Sequence, residues 1–163
     1  MSDPVTTTAV ADIGIDWFKY LSPFASVLVS SIVTWLFFKK KKKDDYLSYL
    51  DKQLDDILKI SVTYPHLEHA VFCSSWDRDK TLDDSPQATK YIQYGLYTTL
   101  VFNYVSRLCE HFNYKEEKIL AYMDLKDWLR LHKKIWKQPL NHDNEHIDGY
   151  DQKTIDIINR MIG

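Results

Sequence analysis

The chain has 163 residues, and its 21 Lys and Arg against 23 Asp and Glu give a formal net charge of −2, which excludes a generally basic nucleic-acid surface. Only four glycines are present, Gly14, Gly95, Gly149 and Gly163, so no phosphate-cradling loop of the GxGxxG or GxxxxGK kind exists. Cys73 and Cys109 lie far apart without CxxC spacing, which fits buried thiols in a reducing cytosol and excludes a disulfide framework or zinc finger.

The first element is the apolar stretch from Trp17 to Phe38, 22 residues in which Lys19 is the one charge. At about 1.5 Å per residue it reaches roughly 33 Å, enough for a hydrocarbon core of about 30 Å. A signal peptide carries its positive charge ahead of the apolar run; here Asp3, Asp12 and Asp16 precede it and Lys39 to Lys43 follow. The positive-inside rule therefore predicts an extracytoplasmic N-terminus at 1–16, a single transmembrane helix at 17–38, a charged juxtamembrane segment at 39–45 and a cytoplasmic domain at 46–163. Within the span, Lys19, Ser22, Ser26, Ser30 and Thr34 fall on one narrow polar face. Such a face suits self-association of several spans, around a weakly polar pore, in contact with membrane lipid elsewhere. The alternative is that the hydroxyls bond their own i−4 carbonyls and the lysine snorkels to the surface.

Residues 46–163 make 118 residues with 15 Lys and Arg against 18 Asp and Glu, long enough for one domain with its own core. Helical spacing of Tyr46, Leu47, Leu50, Leu54, Ile57 and Leu58 predicts a helix continuing from the lysines. Pro65 suits the first turn of a short helix running through His66 and Phe72, and SSWDRDKTLDDSPQ reads as loop. A long helix is predicted from Ala88 to Phe112, with Ile92, Leu96, Leu100, Tyr104 and Leu108 among its apolar positions; its apolar centre is too short for a second span and reads as a buried core helix. Further helices fit Lys115 to Met123, Asp124 to Lys137 with Asp124 as N-cap, and Asp151 to Ile162. No strand alternation is found, so the fold class is all-α.

The strongest candidate site is DLKDWLRLHKKIWKQP, residues 124–139. On one helix, Lys126, Arg130, Lys133 and Lys137 form a stripe with Lys134 beside it, and Trp136 is at hand to stack on a base. This pattern suits a phosphate-rich ligand. It equally suits an amphipathic helix with a solvated basic face and its aromatic residues in the core. Arg107 and His111, with Asn103 one turn earlier, share a face of the long helix and resemble the Arg-x4-6-His motif of HEPN-type ribonucleases, one residue short in spacing. His66 with His69, and His142 with His146, have helical metal spacing but no cysteine or HExxH context, so no metal site is expected. No Ser/His/Asp or Cys/His constellation stands out, and no enzymatic activity is expected; a remaining alternative is a single-pass ribonuclease in which Arg107 and His111 act on the scissile phosphate.

The order of parts, Trp17 to Phe38, then Lys39 to Lys43, then a small helical domain rich in tyrosine and tryptophan, resembles the membrane-bound ancillary effectors of type III CRISPR antiviral defence. That resemblance implies a homo-oligomer, as a tetramer, in the prokaryotic plasma membrane. It also implies cyclic tetra-adenylate as activating ligand of the cytosolic domain, acting on the membrane through the spans. The chain is similar in layout, too, to the type VI-B CRISPR accessory protein, a membrane pore with a divergent HEPN domain. The alternative of another class is a membrane-anchored adaptor that binds a protein partner.

Overall fold

The computed structural model describes the backbone of residues 17–82, 84–138 and 149–163, with side chains from Leu28 onward except Val29. The described residues form seven α-helices and two 3-10 turns, with no strand among them. The chain divides into two compact units, Met1–Lys42 and Lys43–Gly163.

The helix α1 (Trp17–Thr63) has residues in both units; those in the first display Leu28, Ile32, Val33, Trp35, Leu36, Phe37 and Phe38 to the surroundings, each 52–74% exposed. Lys39 lays its ammonium over the Trp35 ring at 5.0 Å, a cation–π contact one turn apart on the helix. Among the described residues no helix is long and apolar enough to cross a membrane. Of the expected polar face, Ser30 and Thr34 are exposed, whereas Lys19, Ser22, Ser26 and the segment 1–16 lie outside the described residues.

The second unit is built around α3 (Pro86–His111). Its start is dictated locally: Ser85 accepts a hydrogen bond from the Ala88 amide at 3.1 Å, and Pro86 occupies the first turn, where no amide is needed. Its end turns through Asn113 and Tyr114, both left-handed at φ 52° and 59°, and the Tyr114 amide closes on the Cys109 carbonyl at 2.7 Å. Before α3 come a 3-10 turn, Pro65–Glu68, then α2 (Ala70–Ser75) and a second 3-10 turn, Asp79–Thr81. The short helix expected from Pro65 through Phe72 is thus two elements, because the chain turns extended at His69 (φ −84°, ψ 117°).

After α3 follow α4 (Glu116–Tyr122), α5 (Lys126–Leu131), α6 (Lys133–Lys137) and α7 (Gln152–Ile162). Asp151 caps α7, its Oδ1 accepting from the amides of Lys153 and Thr154 and its Oδ2 from the hydroxyls of Thr154 and Tyr114. The core collects Leu50 of α1, Trp76, the inner face of α3, Ile119, Leu129, Trp136 and the Ile158–Met161 face of α7.

Two expectations are corrected here. The predicted single helix from Asp124 to Lys137 breaks at His132 (φ −96°, ψ 11°), which ends α5 and caps α6; Asp124 bonds the Lys126 amide at 3.1 Å from one residue before the N-cap, Leu125. The break lets Ile135 and Trp136 turn into the core while the His132 ring is wholly buried. On α3, Ile92, Leu96 and Leu100 are 45%, 65% and 44% exposed and are not core. The buried face is instead carried by Tyr91, Tyr94, Tyr97, Val101 and Val105.

Candidate functional site

The break at His132 splits the basic stripe between two helices. Arg130, on α5, is exposed and pairs with Asp127 one turn away at 3.2 Å. Lys133 and Lys134 open α6, and each reaches a backbone carbonyl of another element. Lys133 Nζ donates to the Gly163 carbonyl at 2.6 Å, and Lys134 Nζ to the Ser74 carbonyl at 3.2 Å. Both acceptors lie in the final turn of a helix or just past it, where carbonyls lack intrahelical partners and positive charge is favoured. Trp136 is 1% exposed; its ring packs on Phe102 at 4.6 Å and Tyr150 at 5.8 Å, and its Nε1 donates to Asn159 at 2.9 Å. Its faces are covered, so base stacking on Trp136 is set aside. Lys126, half-buried, and Lys137, exposed, make no side-chain hydrogen bond or ion pair among the described residues.

The polar groups the fold does bring together lie deeper. One carboxylate oxygen, Glu68 Oε1, accepts from Trp128 Nε1 at 2.9 Å and from the Tyr97 hydroxyl. His132 Nε2 stands 3.4 Å from the same oxygen, an electrostatic contact without hydrogen-bond geometry. On its other side His132 Nδ1 shares a hydrogen bond of 3.0 Å with the Tyr94 hydroxyl. The first 3-10 turn, α3, α5 and the α5–α6 break are thereby tied through one acid. Burial disfavours the Glu68 anion, but the surrounding His132, Tyr97 and Trp128 outweigh it and hold the carboxyl below its ordinary range. Burial, together with neighbouring Cys73 and Glu68, pushes the Tyr94 phenol far up, and burial with Glu68 does the same to Tyr97. A histidine with no exposed surface meets no substrate unless the core opens, so the network's present chemistry is to fix helices.

This network was not legible as a group in the sequence. Glu68 and Trp128 are 60 residues apart and carry no spacing signal. The Arg107 face is dispersed: Arg107 bonds the Tyr49 hydroxyl at 3.5 Å, Asn103 accepts from the Tyr150 hydroxyl at 2.9 Å, and His111 stacks on Tyr46 at 5.6 Å. Gln53, Asp56, Ile57, Ile60, Leu100 and Arg107 line an open cleft of about 220 Å³ between α1 and α3. His66 packs edge-on against Phe72 at 5.0 Å, and no group of metal-ligating side chains gathers among the described residues. His142 and His146 lie outside them.

No protein-family model, curated protein or solved structure matches this chain.

Proposed function

We propose that this chain is a membrane-anchored helical interaction module, held by the apolar part of α1 with its helical unit on the cytoplasmic face of a prokaryotic plasma membrane. The observation that carries this reading is the run of exposed large apolar side chains from Leu28 to Phe38, abutting five lysines without an intervening carboxylate. Apolar surface of this extent around most of a helix, interrupted on the Ser30 and Thr34 side, is unfavourable in water by about 25 cal/mol per Å² and becomes favourable in hydrocarbon. The lysine ammonium groups then sit at headgroup level on the cytoplasmic side. The fold contributes no exposed catalytic constellation among the described residues, which favours binding over chemistry for the helical unit.

The test is membrane fractionation of cells expressing the full chain, followed by alkaline carbonate washing. Retention in the washed pellet is expected, with release to the soluble fraction for a variant carrying Ile32→Lys and Leu36→Lys. Soluble wild-type protein would overturn the anchor.

A second reading, the ligand-activated defence effector, is supported by Lys126 and Lys137, which make no ion pair among the described residues, and by Arg130, exposed and paired only with Asp127 on its own helix. It takes a cyclic oligoadenylate, with cyclic tetra-adenylate first, as the phosphate-rich ligand and a homo-oligomeric assembly as the receiver. Thermal stabilisation of the full chain in micelles by one ring size, abolished by Arg130→Glu with Lys137→Glu, is its expected signature. Absence of any shift leaves the adaptor reading alone.

A further inference from the structure

The cleft between α1 and α3 has acceptors on one wall and donors on the other, and both walls belong to the second unit. Tyr46 of α1 stacks on His111 of α3 and Tyr49 meets Arg107, so the helices run antiparallel here and numbers fall along α3 as they rise along α1. On the α1 wall stand Gln53 and Asp56, one turn apart. On the α3 wall stand Asn103 and Arg107, also one turn apart; the Asn103 carbonyl oxygen is taken by the Tyr150 hydroxyl, which leaves its amide hydrogens as donors. Tyr49 closes this polar end, accepting from Gln53 Nε2 at 3.1 Å and from Arg107 at 3.5 Å. At the other end Ile57, Ile60 and Leu100 supply apolar surface.

Two features leave this cleft chemically incomplete. Asp56 and Arg107 line it with opposite charges yet form no ion pair with each other. Asp56 has only an exposed contact with Lys59 at 3.1 Å on its own helix, and Arg107 has only the long contact with Tyr49. Further, two lining residues carry buried polar atoms without a hydrogen bond, Gln53 Oε1 and the Tyr104 hydroxyl, the latter beside Tyr122. Buried acceptors and hydroxyls are costly to leave unmatched, and a ligand that supplies the missing partners gains that cost back.

We propose that this cleft binds a free α-amino acid with an aliphatic side chain. The Arg107 guanidinium and the Asn103 amide take the carboxylate. Gln53 Oε1 and the Asp56 carboxylate take the ammonium, and the side chain lies on Ile57, Ile60 and Leu100. A simple anion in this cleft would face Asp56 and a simple cation would face Arg107; a zwitterion alone matches both walls. The order along the cleft, cation first, then the two acceptors, then the apolar end, is the order in which an amino acid offers carboxylate, ammonium and side chain. A volume of about 220 Å³ lies below the range of about 300–1,000 Å³ for drug-sized ligands and suits a molecule of amino-acid size rather than a nucleotide.

The experiment titrates the full chain in detergent micelles with L-leucine, read by thermal shift and by calorimetry. Saturable stabilisation that rises with concentration is expected. Isocaproate, which is leucine without its ammonium, and isoamylamine, which is leucine without its carboxylate, are each expected to bind at least tenfold more weakly. Arg107→Gln and Asp56→Asn, at half-buried and exposed positions, should keep the helical circular dichroism and each weaken L-leucine binding at least tenfold. Asp56→Asn should leave isocaproate no weaker than in the wild type, because the acid serves only the ammonium. No saturable effect of L-leucine, L-isoleucine or L-valine would show that the cleft holds water alone and would overturn the proposal. Isocaproate binding as tightly as L-leucine, or unchanged L-leucine affinity in both variants, would overturn it as well. Because the readout is taken in micelles, the result is independent of whether α1 anchors the protein in cells.

Discussion

The indole Nε1 of Trp128 donates to Glu68 Oε1 at 2.9 Å, joining α5 to a 3-10 turn 60 residues earlier. This bond ends on a carboxylate that also takes the Tyr97 hydroxyl and faces His132, so its loss leaves a largely enclosed anion with one donor fewer. Trp128→Phe keeps much of the ring volume and removes the donor. It is expected to destabilise the protein by about 1.5–3 kcal/mol, the range for hydrogen bonds to charged groups, read as a lower denaturation midpoint with an unchanged slope. An unchanged midpoint would show that the bond contributes nothing net.

Acid should weaken the fold in two stages. The pKa values of His66 and His111 are lowered from the ordinary 6.5, His66 by burial and then Lys90, His111 by burial and then Lys43 against an opposing Asp44. Their neutral forms are favoured on folding, so their contribution is complete above the ordinary value and is lost as pH falls through and below it. Glu68 is lowered from 4.5, so its contribution is present above that value and is lost as pH falls further. Urea midpoints measured from pH 8 to pH 3 are expected to decline first below about 6.5 and again below about 4.5. Glu68→Gln should flatten the second limb; a second limb that persists in this variant would assign it elsewhere.

The thiols should be silent in the native protein. Burial, with a further push from Glu68, raises Cys73 to about 11, and burial with Asp151, Glu110 and Glu116 raises Cys109 to about 12. Both lack exposed surface. At pH 8 neither supplies appreciable thiolate, so a disulfide reagent should titrate no thiol in buffer and both in denaturant. Rapid native labelling of either would indicate that the α3 core opens frequently.

Ser85→Ala removes the side-chain acceptor for the Ala88 amide at the start of the longest helix of the second unit. The expected cost is about 1 kcal/mol, and Ser85→Asp should retain most of the stability because it can cap equally well. Thermal melts of the two variants side by side decide this.

The helix boundaries that could be read from the sequence are those with local chemistry: Pro65 and Asp151 each mark a turn or helix start in the structure, whereas α3 begins at Pro86, two residues before the expected Ala88 and inside the stretch read as loop. The break at His132 could not be read, because Trp128, Leu129, His132, Ile135 and Trp136 keep helical period straight through it. What breaks the helix is tertiary: the His132 ring is held between Tyr94 and Glu68, and Trp136 is turned onto Phe102. The α3 stripe misleads for the opposite reason. Periodicity reports that Ile92, Leu96 and Leu100 share a face and is blind to whether their own chain covers it, while the tyrosines that fill the core look amphipathic in sequence. The sequence places Lys126, Arg130, Lys133 and Lys137 on one stripe of one helix, whereas the break at His132 divides them and the carbonyls that engage Lys133 and Lys134 belong to other elements that no local spacing announces.

Asp151, with four donors converging on its two oxygens, has a consequence for how deuterium enters the chain. First-turn amides of a helix ordinarily exchange freely because they have no acceptor. At α7 the Lys153 and Thr154 amides are bonded to Asp151, and the Tyr114 hydroxyl anchors that carboxylate to the end of α3. Exchange at the start of α7 should therefore be slowed to the pace of the core rather than that of a fraying end, and Asp151→Ala should return it to the fast regime.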